Sequence, residues 1–471
     1  MTSLTKSQEY SSFALQNLLT HKSVKLAFYY LLLLLMSLVG IIYGYYFSEQ
    51  FFATEKLYLF DSILNGFKIV WLIPLPYAIL NFYSFIRYPV FNNPQPKPVA
   101  SGFAHKLYFR YITRGLNPNL IADNVATAYV LLNKVLPQKN WLIEVVTDHP
   151  LDPRIDDECV QVILVPTSYN APNGSKYKAR SLHYAIYAST ARPNDWIVHL
   201  DEETQFEEAT IKSIYQFASE EHQDVLDGKR KYARIGQGVI LYGARKIMHW
   251  VTTLADSIRV GDDYGRFRLQ YEHGKAYFGM HGSFIVIQNR VEKAIGMDHG
   301  PSASITEDAY FALVAQSMGI EFAFINTYMY EKSPFSIKDF IKQRRRWFGG
   351  LWLCATDKRI RIKERFILVT FMVFWSFSWL CILIVYVNIF RPTGTPTWLA
   401  ICGGVSFAYY ICLYLIGFLQ TFRWQDGKRR FLKLLLAQIL FIPAFSFMES
   451  VSVIYGLLVP PKEFYIVQKE M

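Results

Sequence analysis

The sequence predicts an α/β domain held between transmembrane α-helices. Three observations lead there. The 471-residue chain is 52% apolar but only 18% charged, against a usual charged share of about 25%. Its apolar residues gather in long charge-free runs toward both ends. Between them, in residues 88–365, short β-type runs alternate with helical spacing.

Composition sets the outer bounds. A disordered chain, a collagen-like repeat and a coiled coil are excluded, and an ordinary soluble enzyme fits poorly. The net charge is +11. A basic excess suits nucleic acid, anionic lipid or a phosphorylated substrate, or it is simply the cytosolic Lys/Arg of a membrane protein. Here it concentrates near the apolar runs and in Arg344–Arg346, which argues against a nucleic-acid partner. Five cysteines form no CxxC pair, so neither a disulfide framework nor a zinc site is expected.

Leu26–Phe47 holds 22 residues without a charge. As a helix it reaches about 33 Å, enough to cross a ~30 Å hydrocarbon core. It is longer than a signal-peptide core and reads as a retained span. Ile69–Ile86 is a second span, with Pro74 and Pro76 inside it. Phe366–Phe390 and Trp398–Phe422 are two more, joined by a turn at Pro392–Pro396. Leu434–Met448 is shorter; Glu449 interrupts it and Val451–Pro461 continues it. This stretch reads as one span carrying a buried Glu or as a re-entrant pair. Glu449 is then either a functional intramembrane carboxylate or the partner of a Lys or Arg at the interface.

Lys6, Lys22 and Lys25 precede the first span, and five Lys/Arg fill residues 423–433. The positive-inside rule puts both, and with them 88–365, in the cytosol. The expected organisation is a cytosolic segment (1–25), two transmembrane helices (26–87), a cytosolic catalytic domain (88–340), an interfacial helix (341–365), two to three transmembrane helices (366–458) and a tail (459–471). The C-terminal Phe464–Lys469 lies on either side, depending on whether 431–458 crosses or re-enters.

Within the central block, Trp141–Thr147 is a strand-like run ending in Asp148. Val160–Val165 is another, Lys178–Ser189 has helical spacing, and Asp195–Leu200 ends in Asp201-Glu202-Glu203. This alternation argues a mostly parallel sheet, whose ligands bind beyond the carboxyl ends of its strands. Asp148 and Asp201 occupy such ends. Each is also what a turn or helix cap uses. The acidic cluster could equally hold Mg²⁺ or Mn²⁺ through hard oxygen ligands, bridging a substrate's phosphates. No GxGxxG or GxxxxGK[ST] is present, so dinucleotide-binding and P-loop chemistry lose support.

Thr306-Glu307-Asp308 precedes an amphipathic helix, and Gln343-Arg344-Arg345-Arg346-Trp347 precedes the third span. In order, Asp148, Asp201-x-Glu203, Thr306-Glu307-Asp308 and Gln343-x-x-Arg346-Trp347 resemble the D, DxD, TED, QxxRW series of membrane-bound family 2 inverting glycosyltransferases. That family carries a nucleotide-sugar-binding GT-A domain between membrane helices. The third acid is Glu203 where the pattern has Asp. Further segments, among them Lys178-Ala179-Arg180, Thr253–Ser257, Asp262-Asp263, His281-Gly282-Ser283 and Tyr330–Pro334, are similar to the egghead-type β-1,4-mannosyltransferases.

The resemblance implies transfer of mannose from GDP-mannose to a glycolipid such as glucosylceramide, in a β-1,4 linkage. It implies Asp308 as general base. Asp148, Lys178, Asp201, Arg346 and Trp347 would hold the donor, and Gln343 and Arg346 its diphosphate. Asp201 and Glu203 would hold Mg²⁺ or Mn²⁺. His281, Gly282, Glu307 and Trp347 would line the acceptor site; the His281–Ser283 segment also suits a plain turn. The partners implied are a nucleotide sugar, a glycolipid and the bilayer, with no nucleic acid. The place implied is the endoplasmic reticulum or Golgi membrane if the protein is eukaryotic, the protein being multi-pass with its catalytic domain in the cytosol. A processive polysaccharide synthase would use the same carboxylates but needs a polymer channel, for which about five spans are few. A transporter or scaffold would not need this set of residues.

Overall fold

Long charge-free runs satisfy their own backbone polar groups only as helices, and the apolar strands between them must pair. The computed structural model of the chain describes residues 22–46, 48, 59–90, 96, 105–136, 140–461 and 463–465. Lys6 and Ile466–Lys469, used above to orient the chain, lie outside them. The chain divides into two units, Met1–Pro94 with Ile384–Leu413 and Gln95–Leu383 with Tyr414–Met471.

In the first unit, α1 spans Lys22–Tyr46. The second apolar stretch is broken: α2 (Leu59–Phe67), a 3₁₀ turn (Lys68–Leu72) and α3 (Leu75–Arg87) follow one another. Pro74 caps α3 and Pro76 lies in its first turn, where a missing N–H costs nothing. The buried Lys68 ammonium donates to Thr393 O and Oγ1 at 2.8 Å and to Thr395 Oγ1 at 2.7 Å. Arg391 Nε donates to the buried Asp61 carboxylate at 2.9 Å. Those bonds tie the Pro392–Pro396 turn to α2 and the 3₁₀ turn.

The second unit is built on a seven-stranded sheet. Its strands are β1 (Leu107–Thr113), β2 (Trp141–Thr147), β3 (Val160–Leu164), β4 (Trp196–Asp201), β5 (Ile235–Tyr242), β6 (Ile285–Gln288) and β7 (Phe322–Glu331), in the order β3-β2-β1-β4-β6-β5-β7. All neighbours are parallel except β6, which runs antiparallel to β4 and β5. Every residue of β1 and β2 is buried, as expected for a sheet covered on both faces.

The helices between are α4 (Pro118–Val135), α5 (Tyr177–Ala188), α6 (Glu208–Leu226), α7 (Trp250–Ala255), α8 (Ser257–Asp262), α9 (Arg268–Glu272), α10 (Asn289–Ile295) and α11 (Glu307–Ser317). Then come α12 (Ile337–Thr356), α13 (Ile362–Phe390), α14 (Thr397–Thr421) and α15 (Lys428–Leu458). The 341–365 segment is therefore shared between α12 and α13. One apolar core gathers Val146, Leu182, Ile197, Ile287, Phe311 and Phe322 from strands β2, β4, β6 and β7 and helices α5 and α11. A second joins Leu313 of α11 to Phe348, Leu368 and Val453.

Five helical segments among the described residues are long and apolar enough to cross a membrane: Leu26–Tyr46, Leu59–Arg87, Ile362–Phe390, Thr397–Thr421 and Lys428–Leu458. The last is one unbroken helix through Glu449. Of the two readings of that carboxylate, the pairing one is realised, since Glu449 Oε1 accepts from Arg344 Nε at 2.8 Å.

Candidate active site

The sheet register aligns three strand ends. Thr113 of β1 sits beside Thr147 of β2, and Ile112 beside Asp201 of β4. Asp148 leaves the end of β2, half-buried. Its Oδ1 accepts from Arg180 Nη1 at 3.0 Å and from Ser181 Oγ at 2.9 Å, both in the first turns of α5. Arg180 also donates to the carbonyls of Pro166 and Tyr169 in the loop after β3. That loop, α5 and Asp148 form one hydrogen-bonded wall.

The three acids after β4 part company. Asp201 keeps an accessible carboxylate, whose Oδ1 takes Lys178 Nζ at 2.6 Å. Glu202 is consumed locally: its carboxylate accepts from Thr113 Oγ1 at 2.6 Å and Asn117 Nδ2 at 2.9 Å. Glu203 turns inward and is 7% exposed. Thr204 Oγ1 accepts from Asp201 N at 3.0 Å and donates to Glu331 at 2.8 Å, which fixes the turn.

Lys178 is the centre of the site. Its ammonium also donates to Gly282 O at 2.9 Å and lies 3.7 Å from Glu307. The preceding Tyr177 has φ +54°, a left-handed conformation that costs a non-glycine residue energy and recurs at functional sites. Opposite Lys178, Asp308 stands in the first turn of α11, its Oδ1 accepting from Ala309 N at 2.8 Å. A Cβ on Gly282 would meet both Asp308 Oδ2 and Lys178 Nζ at 3.1 Å. Glycine there lets strand β6's approach, α5 and α11 close around one point. Burial, and then the Asp308 charge, push the Glu307 carboxyl up to about 7, against the pull of Lys178 and Arg346.

The α12 motif reaches the same place. Arg346 Nη1 donates to Ile305 O at 3.1 Å, just before the Thr306-Glu307-Asp308 turn. Burial holds the Arg346 pKa below its ordinary value, while Glu307, Asp308 and Asp201 pull it back up. Gln343 is engaged with its neighbour, its Oε1 accepting from Arg344 Nη1 at 3.1 Å. Trp347 is half-buried, with the guanidinium carbons of Arg259 and Arg344 each 4.3 Å from its ring. His281 is held by Asp263, Nε2 to Oδ1 at 2.5 Å, and by its backbone N–H on Gln237.

Such a cluster of carboxylates and cations at parallel strand ends suits a diphosphate-bearing substrate. Residues 196–421 match the family model described as glycosyl transferase family group 2. The β-1,4-mannosyltransferase egh of Drosophila melanogaster is 34% identical over 89% of this chain and 90% of that protein. The β-1,4-mannosyltransferase bre-3 of Caenorhabditis elegans is 33% identical over 87% of this chain and 91% of its own. This chain belongs to glycosyltransferase family 2, in the β-1,4-mannosyltransferase group. It is an enzyme, a glycosyltransferase. Among solved structures, the Pyrobaculum calidifontis mannosyltransferase PcManGT, in complex with GDP-Man and Mn²⁺, covers 84% of this chain with a TM-score of 0.50 at 13% identity. That likeness concerns the fold, and the GT-A expectation agrees with it.

Fit to a divalent metal can be judged from the donor set of this family 2 enzyme. Among the described residues no three His, Cys, Asp or Glu side chains converge as metal ligands. Mg²⁺ and its relatives are commonly held by one or two carboxylates and complete their shell with substrate phosphates. Asp201, with its accessible carboxylate, suits that partial role; Glu203, two residues on, is 7% exposed, and Glu202 is already committed elsewhere. Sequence reasoning missed the residues that orient the others: Ser181 on Asp148, Asp263 on His281, and Asp256, Arg259 and Arg344 around Trp347. Asp256, Asp263 and Arg344 lie inside the motif segments, which hinted at them; Ser181 and Arg259 lie outside those segments.

Proposed function

We propose that this glycosyltransferase moves a single mannose from GDP-mannose to the terminal glucose of a glycolipid such as glucosylceramide, forming a β-1,4 linkage with inversion. The observation that carries the reading is the convergence of Lys178, Glu307 and Asp308 around Gly282, with Asp201 on Lys178 and Arg346 facing the same carboxylates. The catalytic domain faces the cytosol in this reading, at the endoplasmic reticulum or Golgi membrane.

In this mechanism Asp148 engages the nucleotide, while Lys178 and Arg346 bring positive charge to the diphosphate. Asp308 accepts the proton of the attacking hydroxyl as the new C1–O bond forms on the face opposite the breaking C1–O bond to the diphosphate. The cations stabilise the charge that grows on the leaving group. A divalent cation held by Asp201 and Glu203 supplies further positive charge there when bound. Glu307, Gly282, His281 and Trp347 line the acceptor side, and Gln343 supports the diphosphate side through the Arg344–Arg346 segment.

The test is product analysis with purified enzyme, a panel of GDP- and UDP-sugars, and glucosylceramide in detergent. One added mannose from GDP-mannose is expected; a ladder of hexoses, or a different preferred donor, overturns the reading. Asp308→Asn should lower turnover by roughly 10²–10⁴-fold, the range for loss of a general base, while donor binding persists. Thr306 is the N-cap of α11 and Asp308 lies in its first turn, so near-normal turnover would leave Asp308 as a first-turn acid only and the base unassigned.

A further inference from the structure

Trp347 is held by charge rather than by apolar packing alone. Arg259 reaches it from α8 and Arg344 from one turn earlier on α12, each guanidinium carbon 4.3 Å from the ring. Two like charges gathered at one indole repel unless a counter-charge is shared. Asp256, between α7 and α8, provides it: its Oδ1 accepts a hydrogen bond from Arg344 Nη2 and lies 3.9 Å from Arg259 Nη1. Glu449 adds a second carboxylate on Arg344 Nε at 2.8 Å. Asp256 has no exposed surface, and Arg344 is only 3% exposed.

The cluster is also fixed in space. A Cβ on Gly417 of α14 would fall 1.8 Å from Ser257 O, so that helix packs on the start of α8 backbone to backbone. Arg259 lies 3.9 Å from the Tyr242 ring, and Arg344 lies 4.3 Å from the Phe340 ring. Such guanidinium–aromatic contacts gain strength when desolvated.

We propose that Asp256 is a positioning residue for the acceptor: as the shared counter-ion of Arg259 and Arg344, it sets the orientation of Trp347 and thereby acceptor affinity, without touching the donor. The proposal rests on the reading of Trp347 as an acceptor contact rather than as the donor contact that the family resemblance also implies, and the experiment separates the proposal from that reading. Full-length enzyme in detergent is assayed with glucosylceramide varied at saturating GDP-mannose, and then the reverse.

Asp256→Asn should raise the acceptor KM about tenfold, the scale of one desolvated cation–π contact, with the donor KM within about twofold of wild type. Trp347→Ala should raise the acceptor KM by at least as much. In the double variant, Asp256→Asn should then add less than about twofold, because its effect passes through that ring. A parallel rise in donor KM, or additive losses in the double variant, overturns the proposal alone. An unchanged acceptor KM in Trp347→Ala overturns the acceptor reading and the proposal with it. If Asp256→Asn does not accumulate as folded enzyme, Arg259→Lys goes through the same cycle. Lys keeps the charge but loses the planar group that stacks, so the same split and the same non-additivity are expected.

Discussion

Glu307→Gln should stabilise the enzyme, and more so as the pH rises. Glu307 is 7% exposed and sits beside Asp308. Burial, with Asp308 second, lifts its carboxyl from 4.5 to about 7. Folding then favours the protonated form. The stability this contributes is fully present below the ordinary value and is lost as pH rises through the folded one. At ~1.4 kcal/mol per pH unit, the loss is about 1 kcal/mol at pH 5.5 and about 3 kcal/mol at pH 8.5. Gln keeps the shape of the side chain without its charge. Lys178 and Arg346 stay compensated, because Asp201 and Asp308 still face them. The advantage of the variant should therefore grow by ~2 kcal/mol between the two pH values. For a unit of this size that is roughly 3 °C in melting temperature. Thermal melts of detergent-purified enzyme without donor, at pH 5.5, 7.0 and 8.5, measure it. A variant that melts lower than wild type at pH 8.5, or a gap that does not change with pH, would refute the reasoning.

Three further outcomes are expected. Gly350→Ala should cost ~1–3 kcal/mol of stability and lower activity, because its Cβ would meet the buried Thr306 side chain at 2.4 Å and disturb the Thr306–Asp308 turn; Gly66→Ala, with nothing within 4 Å of the new Cβ, should melt no lower than wild type and serves as the control. Arg110→Leu should destabilise the catalytic unit by ~3–5 kcal/mol, since it strands Glu144 and Glu292, both fully buried, without their shared cation; denaturant or thermal melts would show it, and a variant within ~1 kcal/mol of wild type would contradict that account. Chelator should abolish transfer and added Mg²⁺ or Mn²⁺ should restore it; full activity in excess EDTA would remove Asp201 and Glu203 as metal ligands.

Elements whose burial follows from their own composition were legible in the sequence. Trp141–Thr147 and its terminal Asp148 are where the apolar run places them, and the acidic turn after β4 begins where expected. Helices α1, α13 and α14 lie over their charge-free runs with ends shifted by a few residues. The strands that were not read owe their place to distant partners. β1 carries Arg110, which looks like a surface residue until Glu144 and Glu292 neutralise it from 34 and 182 residues away. β5 contains Gly236 and Gly238, which look like strand breakers. A Cβ at Gly236 would meet Phe217 and Ile325, and one at Gly238 would meet Phe284. In both cases the missing side chain makes room for a neighbour from elsewhere in the chain.

The candidate site divides along the same line. Which residue types gather there can be read from motif order, because strand ends and the α11 N-terminus present their side chains locally. Which member of each motif faces the substrate cannot be read that way. Glu202 and Glu203 are adjacent and chemically alike. They part only because Thr113 and Asn117, from the end of β1 and the turn after it, claim Glu202. Arg344 and Arg346 lie two apart on one helix, hence on different faces. Arg344 faces Asp256 and Glu449, while Arg346 faces Ile305 and the carboxylates. A motif therefore specifies a supply of charge at one position in the fold, and the long-range partners decide how that supply is divided between holding substrate and holding the site together. Asp256 stands on the second side of that division. This is why its effect should appear in acceptor affinity and not in donor affinity.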